Sequence, residues 1–158
     1  MDGGIDHPLS RIVFPGIEPE VKRAMKRLAH ESIVGKPYLP IGRIVIIDRP
    51  NISLVMSPTM LLPQDVSKTN NAYIATMAAI HGILVERREC LETVDIIIPA
   101  MCCGYGKMTE DESIRQITQG IRDYATYVPQ DDTVMNEQPK YYMNTEFFTI
   151  DPADTTYC

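Results

Sequence analysis

The chain has 158 residues, of which 44% are hydrophobic and 23% charged, with a formal net charge of −6 and an isoelectric point near 5.0. These values are typical of one ordinary soluble domain. The acidic balance excludes bulk electrostatic binding of nucleic acid, but it leaves room for one small bound anion. The sequence has no apolar run that could cross a bilayer and no signal-peptide pattern at its start, so we expect a cytoplasmic protein without a membrane partner.

The first half of the chain predicts a loop, a helix, a hairpin and a second helix. Residues 1–16 are rich in glycine and proline, which is loop composition. An amphipathic helix is predicted from Pro19, in its first turn, to a stop at Gly35. The β-branched runs "IGRIVIID" and "ISLVMSP", separated by "RPN", predict an antiparallel hairpin. A helix is predicted over residues 65–86.

The second half predicts a buried strand, a helix and an acidic tail. The segment "TVDIII" lacks polar alternation after Asp95 and is therefore expected to be a strand buried on both faces. Thr109 and Glu112 predict a capping box at the start of a helix. The apolar stripe of that helix is Ile114, Ile117, Ile121 and Tyr124/Ala125. Residues 127–158 are expected to be either an added edge strand or a disordered tail. Helices alternating with a buried strand predict an α/β layer architecture.

The four cysteines do not have the spacing of a metal site. Cys102 and Cys103 are adjacent, whereas Cys90 and Cys158 stand alone. This pattern is unlike that of zinc ligands and fits free thiols in a reducing compartment. We therefore expect neither a metal ion nor a cofactor.

The stretch "PAMCCGYGKMTEDESIRQI" joins the predicted strand to the predicted helix and has the pattern of an anion site. Gly104 and Gly106 allow a tight turn and close approach of a ligand to the backbone. Unpaired N–H groups in such a turn, with a helix behind them, favour a phosphate or diphosphate, and Lys107 could add charge. A lone G-x-G pair is weak evidence, and a plain strand-to-helix turn is the alternative.

A second glycine pair near the start of the chain has an acid beside it. Gly3 and Gly4 precede Asp6. The carboxylate of Asp6 could accept a hydrogen bond from a sugar hydroxyl or position a water as a general base. Its alternative role is that of a helix cap or an exposed loop acid.

Several motifs together resemble a macro domain. They are, in order, "DGGID…FPGIEPEVKRAM", "LPIGRIVII", "SPTMLLPQDVSKTNNAYIATMAAI" and "VDIIIPAMCCGYGKMT". They look most like the branch associated with ADP-ribose 1″-phosphate processing, over residues 1 to about 124. The resemblance implies a three-layer α/β/α fold with a mixed sheet in residues 1–126. It also implies that ADP-ribose binds in a cleft across the top of that sheet.

The resemblance also implies two ligand loops. Gly3, Gly4 and Ile5 match the first loop, and Asp6 matches the acid that lies near the distal ribose in hydrolytic relatives, with His7 beside it. The second loop, which wraps the diphosphate, is matched by Pro99, Cys102, Cys103, Gly104, Tyr105 and Gly106. Residues near the cleft rim that we expect to be mainly structural are Pro58, Thr59, Asn70, Asn71 and Tyr73.

The chain also departs from the macro-domain pattern. Relatives have strands before the first glycine loop, with an acid that reads the adenine and an asparagine near the ribose, and these have no counterpart before Met1. We therefore expect an N-terminally truncated macro-like fold with exposed apolar sheet edges. Met101, Cys102 and Cys103 stand where small and hydroxyl residues are usual, which affects turnover more than binding by backbone N–H groups.

Three functions remain open at this stage. The first is hydrolysis at the distal ribose of an ADP-ribose derivative, such as removal of its 1″-phosphate, with Asp6 and His7 activating a water. The second is a non-catalytic reader of ADP-ribose. The third is a degenerate macro fold with a role in assembly, including a homo-oligomer, through the segment "YYMNTEFF".

Overall fold

A computed structural model describes residues 6–28, 32–33, 36–37, 39–86 and 94–126. Its elements are α1 (Asp6–Pro8), a π-helical turn (Leu9–Val13), α2 (Glu18–Leu28), β1 (Ser32–Ile33), β2 (Lys36–Pro37), β3 (Val45–Asp48), β4 (Ser53–Met56), α3 (Asn71–Glu86) and α4 (Glu110–Thr126). The described part is thus a mixed α/β structure with two small antiparallel sheets. Within these ranges, no helix has the length and apolar character needed to span a membrane.

The start of the described chain is more helical than predicted. The loop expected up to residue 16 contains α1 and the π-helical turn, and the backbone turns at Gly16 with a φ of 77°. The helix predicted from Pro19 is confirmed as α2, but it ends at Leu28, before Gly35. The short pairing of β1 with β2 follows instead.

The predicted hairpin is confirmed as β3 paired with β4 in antiparallel register, with Val45 opposite Met56. Its apolar residues pack with α2 and the preceding turn in the first core cluster. That cluster contains Phe14, Ile17, Val21, Ala24, Leu39, Val45 and Ile47, with Leu9, Leu54 and Met56 against it. A bidentate ion pair from Arg49 to Glu20, at 2.6 and 3.0 Å, also joins the hairpin to α2.

Helices α3 and α4 pack against each other in the second half of the chain. Helix α3 begins at Asn71, because residues 65–70 form turns in which Asp65 accepts two hydrogen bonds from Ser67. The contact with α4 is close at Gly120, where an added Cβ would lie 3.2 Å from Thr76. At Gly82, α3 also approaches Ile44 so closely that a Cβ would collide with it.

The prediction of a buried strand over "TVDIII" is wrong. Residues 94–98 form no strand, and the side chains of Val94, Ile96 and Ile97 are exposed, most of all Ile97 at 91%. A strand buried on both faces needs neighbouring strands and helices to cover it, and the described residues supply none. The sequence pattern shows that this segment suits a sheet interior, but the pattern cannot provide the partners.

The predicted stripe of α4 is buried only in part. Ile117 and Tyr124 are half-buried, and Tyr124 contacts His81 of α3, whereas Ile114 and Ile121 are exposed. The residues of α4 that are fully buried are small or polar: Ser113, Gln116 and Gly120. Ile114 and Ile121 are left without a cover from the described part of the chain.

Candidate functional site

The candidate anion site is the loop of residues 101–108, which connects the exposed segment 94–98 to α4. Three backbone hydrogen bonds fix its shape: Met108 N–H to Cys102 O at 3.0 Å, Lys107 N–H to Gly104 O at 3.1 Å, and Val66 N–H to Gly106 O at 3.0 Å. The last bond ties the loop to the segment before α3. The loop is therefore closed on itself and is joined to that segment by a backbone hydrogen bond.

The left-handed positions of this loop are not its glycines. Cys102 has a φ of 66° and Lys107 a φ of 54°, and these two residues flank the turn. Such values are uncommon for residues with a Cβ and suggest a backbone shape held by its surroundings. Sequence reasoning assigned the special geometry to Gly104 and Gly106 and missed this feature.

Gly106 is required by packing and Gly104 faces open space. A Cβ added to Gly106 would collide with Cys102 O and press on Val66 and Met60. A Cβ added to Gly104 would meet no atom within 4 Å. The two glycines therefore have different roles: one lets the loop lie against its support, and the other leaves the crest of the loop accessible.

A small sulfur-rich core cluster packs against the loop. It contains Val66, Ala72, Cys102 and Met108, with Met60 and Met101 packed against it. Burial raises the pKa of the Cys102 thiol, an effect partly offset by its hydrogen bond with Thr59. Cys103 is half-buried, and its Sγ donates to Met101 O at 3.4 Å. The raised pKa of Cys102 favours a neutral thiol in the support of the loop and opposes a role for it as a nucleophile.

The crest of the loop presents a row of backbone N–H groups. Those of Cys103, Gly104, Tyr105 and Gly106 have no hydrogen-bond acceptor among the described residues. Gly104 and Tyr105 are exposed. Consecutive unpaired N–H groups on an accessible turn can bind an anion through its oxygen atoms.

Charges around the loop have both signs. Lys107 Nζ lies 3.8 Å from an Asp65 carboxylate oxygen, and both side chains are largely exposed. The first turn of α4 contains Glu110, Asp111 and Glu112, which already complement the positive end of the helix dipole. Hydrogen bonds from Arg115 and Gln116 lower the pKa of Glu112 to about 2, so this carboxylate is charged at neutral pH. An anion at this site would therefore rest on the loop N–H groups more than on the end of α4.

The start of α3 is already capped and offers no anion site. Gln116 Oε1 accepts from Tyr73 N–H at 3.2 Å, and its Nε2 donates to Thr69 O at 2.7 Å. Thr69 Oγ1 accepts from Asn71 N–H at 3.3 Å. The side chain of Asn71 in turn donates to Thr59 O at 2.8 Å, which links α3 to the segment after β4.

The first predicted loop is described only in part. Gly3, Gly4 and Ile5 lie outside the described residues, as does the carboxylate of Asp6, whose backbone begins α1. His7 is exposed, and its carbonyl oxygen accepts a hydrogen bond from Ser10 Oγ at 3.2 Å. Phe14 anchors this region in the first core cluster, not in the sulfur-rich cluster under the second loop.

Of the second-loop residues, the structure brings Cys102 to Gly106 together in one turn. Pro99 precedes this turn and is exposed. Val66 and Met60, which anchor and support the turn, were not among the predicted site residues. No local sequence rule indicates these two contacts, because they join segments about 40 residues apart in the chain.

Comparison of the chain with family models, with curated proteins and with solved structures finds no match.

Proposed function

We propose that this chain binds ADP-ribose, or a derivative of it, through the loop of residues 101–108. The observation that carries the proposal is the row of N–H groups from Cys103 to Gly106, which have no acceptor in the described part of the chain, with Gly104 and Tyr105 in the middle of the row exposed. A diphosphate has oxygen atoms on two adjacent phosphorus atoms and can accept hydrogen bonds from several such groups at once. The choice of ADP-ribose rests on the sequence motifs that resemble macro domains.

The geometry of Gly104 supports close approach of a ligand. Because no atom lies within 4 Å of a Cβ added there, a ligand can contact the backbone without first displacing a neighbour. Lys107 contributes a positive charge beside the crest, which Asp65 only partly neutralises at 3.8 Å in solvent. The acids of the first turn of α4 would repel an anion, so the loop N–H groups must provide most of the binding. Obstructing these groups should therefore weaken the affinity for the ligand.

The proposal includes a three-layer macro-like arrangement and a reaction. In that arrangement the first loop, with Asp6 and His7, lies beside the distal ribose. Asp6 positions or deprotonates a water that attacks the group at the distal ribose, and loop donors stabilise the negative charge that develops. The simplest such reaction is removal of the 1″-phosphate: the water attacks the phosphorus, the bond from phosphorus to the ribose oxygen breaks, and that oxygen takes a proton, which gives ADP-ribose and inorganic phosphate. The side chain of His7 is exposed and therefore accessible to a ligand.

The first test is calorimetric titration of the full chain with ADP-ribose, with AMP as the control ligand. We expect saturable binding of ADP-ribose and much weaker binding of AMP, because AMP lacks the diphosphate. The Gly104→Val variant should lose most of the affinity while its melting temperature stays close to that of the parent chain. Equal binding of both ligands, or an unchanged affinity in Gly104→Val, would refute the loop as the site.

A second test separates a hydrolase from a reader. Release of inorganic phosphate from ADP-ribose 1″-phosphate is measured for the parent chain and for Asp6→Ala. A hydrolase loses turnover in Asp6→Ala but keeps most of its affinity for ADP-ribose. A reader binds ADP-ribose and releases no phosphate in either form.

A further inference from the structure

An apolar segment beside the candidate site has no cover in the described part of the chain. Val94, Ile96 and Ile97 are 50, 47 and 91% exposed, and residues 94–98 pair with no strand among the described residues. A run of β-branched residues with open backbone groups is suited to pairing with another strand. In water the same run would favour aggregation. Some polypeptide segment should therefore cover it in the folded protein.

A second uncovered row lies on α4. Ile114 and Ile121 are 56 and 45% exposed, two turns apart on the same side of the helix. The buried face of α4 differs from this row, because it carries small and polar residues, among them Ser113 and Gln116. Helix α4 also leads directly into residues 127–158, so those residues start at the end of this uncovered row.

We propose that residues 141–150, "YYMNTEFFTI", cover segment 94–98 of the same molecule as an added strand. This part of the tail is rich in the aromatic and β-branched residues that favour strands. One face of such a strand would carry Tyr141, Met143, Thr145, Phe147 and Thr149. Glu146 falls on the other face, so the first face is free of charge and suited to pack on apolar residues. The proposal is independent of ADP-ribose binding.

The connecting chain is long enough for this pairing. The 14 residues 127–140 can span about 46 Å when extended. Helix α4, with 17 residues, is about 26 Å long, so the tail can run back past its whole length. A tether of about this length gives an effective local concentration on the order of millimolar. Docking within one molecule is therefore favoured over docking between copies at ordinary protein concentrations.

The test uses the full chain and its lack of tryptophan. Phe147→Trp places a single fluorescent reporter on the proposed inner face, and Val134→Trp places the control reporter in the connecting residues. We expect the reporter at position 147 to emit at shorter wavelength than the control and to be shielded from iodide quenching. If both reporters behave alike, the tail does not dock and the proposal is wrong.

A second substitution locates the docking site. Ile97→Asp, added to the Phe147→Trp chain, should shift the emission to longer wavelength and restore quenching. Because Ile97 is exposed in the described structure, circular dichroism should show the fold intact; Ile97→Ser serves as a milder variant. Unchanged shielding in both folded variants would show that the tail binds elsewhere. Loss of shielding on dilution would show that a second copy provides the strand. Either result would overturn the proposal.

Discussion

Gly106 shows how one side-chain atom can decide whether the candidate loop closes. A methyl group there would meet the carbonyl oxygen of Cys102, which is backbone and cannot rotate away. The same methyl group would also press on Val66, whose N–H holds the loop. The loop therefore depends on Gly106 for its stability and on Gly104 for its accessibility.

This division of roles gives a residue-scale prediction. Gly106→Ala should lower the free energy of unfolding by about 1–3 kcal/mol, the usual cost of overpacking, because the loop must shift away from its support. Gly104→Ala is the matched control and should change it by less than about 0.5 kcal/mol. Chemical denaturation of both variants measures the difference. Equal effects would mean that the packing around Gly106 is not as described.

The half-buried pair of His81 and Tyr124 gives a second residue-scale prediction, in its pH dependence. His81 Nδ1 lies 3.1 Å from the Tyr124 hydroxyl, and burial lowers the pKa of His81 below its ordinary value of 6.5. The unfolded chain therefore binds a proton at higher pH than the folded chain does. The contribution of His81 to stability is present above pH 6.5 and declines as the pH falls through and below that value.

Comparison with His81→Gln isolates this contribution from the carboxylates that titrate in the same range. The free energy of unfolding of the parent chain minus that of His81→Gln should be largest at about pH 7.5 and smaller at about pH 5.5, on either side of the ordinary histidine pKa. Urea denaturation of both chains at the two pH values provides the four free energies of unfolding that are compared. A difference that grows on acidification would contradict the direction of the pKa shift.

At the scale of elements, Gln116 joins α4 to the start of α3. Its side chain accepts from Tyr73 N–H and donates to Thr69 O and to Glu112 Oε1. It is 3% exposed, so these groups have little access to water if the side chain is removed. Helix α3 thus takes part of its N-terminal cap from a neighbouring helix, which no local sequence rule would reveal.

The prediction at this scale compares two glutamines of α4. Gln116→Ala should lower the free energy of unfolding by about 2–3 kcal/mol, because the N–H of Tyr73 in α3 and the carbonyl of Thr69 in the turn before it lose their hydrogen-bond partner. Gln119→Ala removes only an exposed hydrogen bond to Asp123 and should cost less than about 0.5 kcal/mol. Thermal or urea unfolding measures both. Similar losses would show that the cap contributes little.

The elements that sequence patterns predicted correctly are those that local contacts define. The hairpin of β3 and β4 follows from two β-branched runs and a turn, and the start of α4 follows from the Thr109 cap, whose Oγ1 accepts from Glu112 N–H at 3.3 Å. The second half of the predicted capping box is missing, because the Glu112 carboxylate binds Arg115 and Gln116 instead. Local rules gave the position of the helix but not the partners of its side chains.

At the scale of the whole molecule, the wrong predictions of burial concern contacts between distant segments. Residues 94–98 were expected inside a sheet, and the row of Ile114 and Ile121 was expected in a core, but the described residues cover neither. Both predictions assumed neighbouring layers of the fold that would cover these residues. A periodic sequence pattern implies that such a layer exists but does not identify the segment that forms it. The candidate site shows the same limit. The glycine spacing predicted the loop, whereas its anchor at Val66 came from a segment about 40 residues earlier.

The central claim is that an anion binds to the backbone of the second loop, and amide chemical shifts test it most directly. In a ¹⁵N-labelled full chain titrated with ADP-ribose, we predict the largest shifts at the amides of Cys103, Gly104, Tyr105 and Gly106, with smaller shifts on addition of AMP. The amide of Tyr73, already bonded to Gln116, should change little. Saturable shifts confined to residues outside the loop, or none in a folded sample, would contradict the claim.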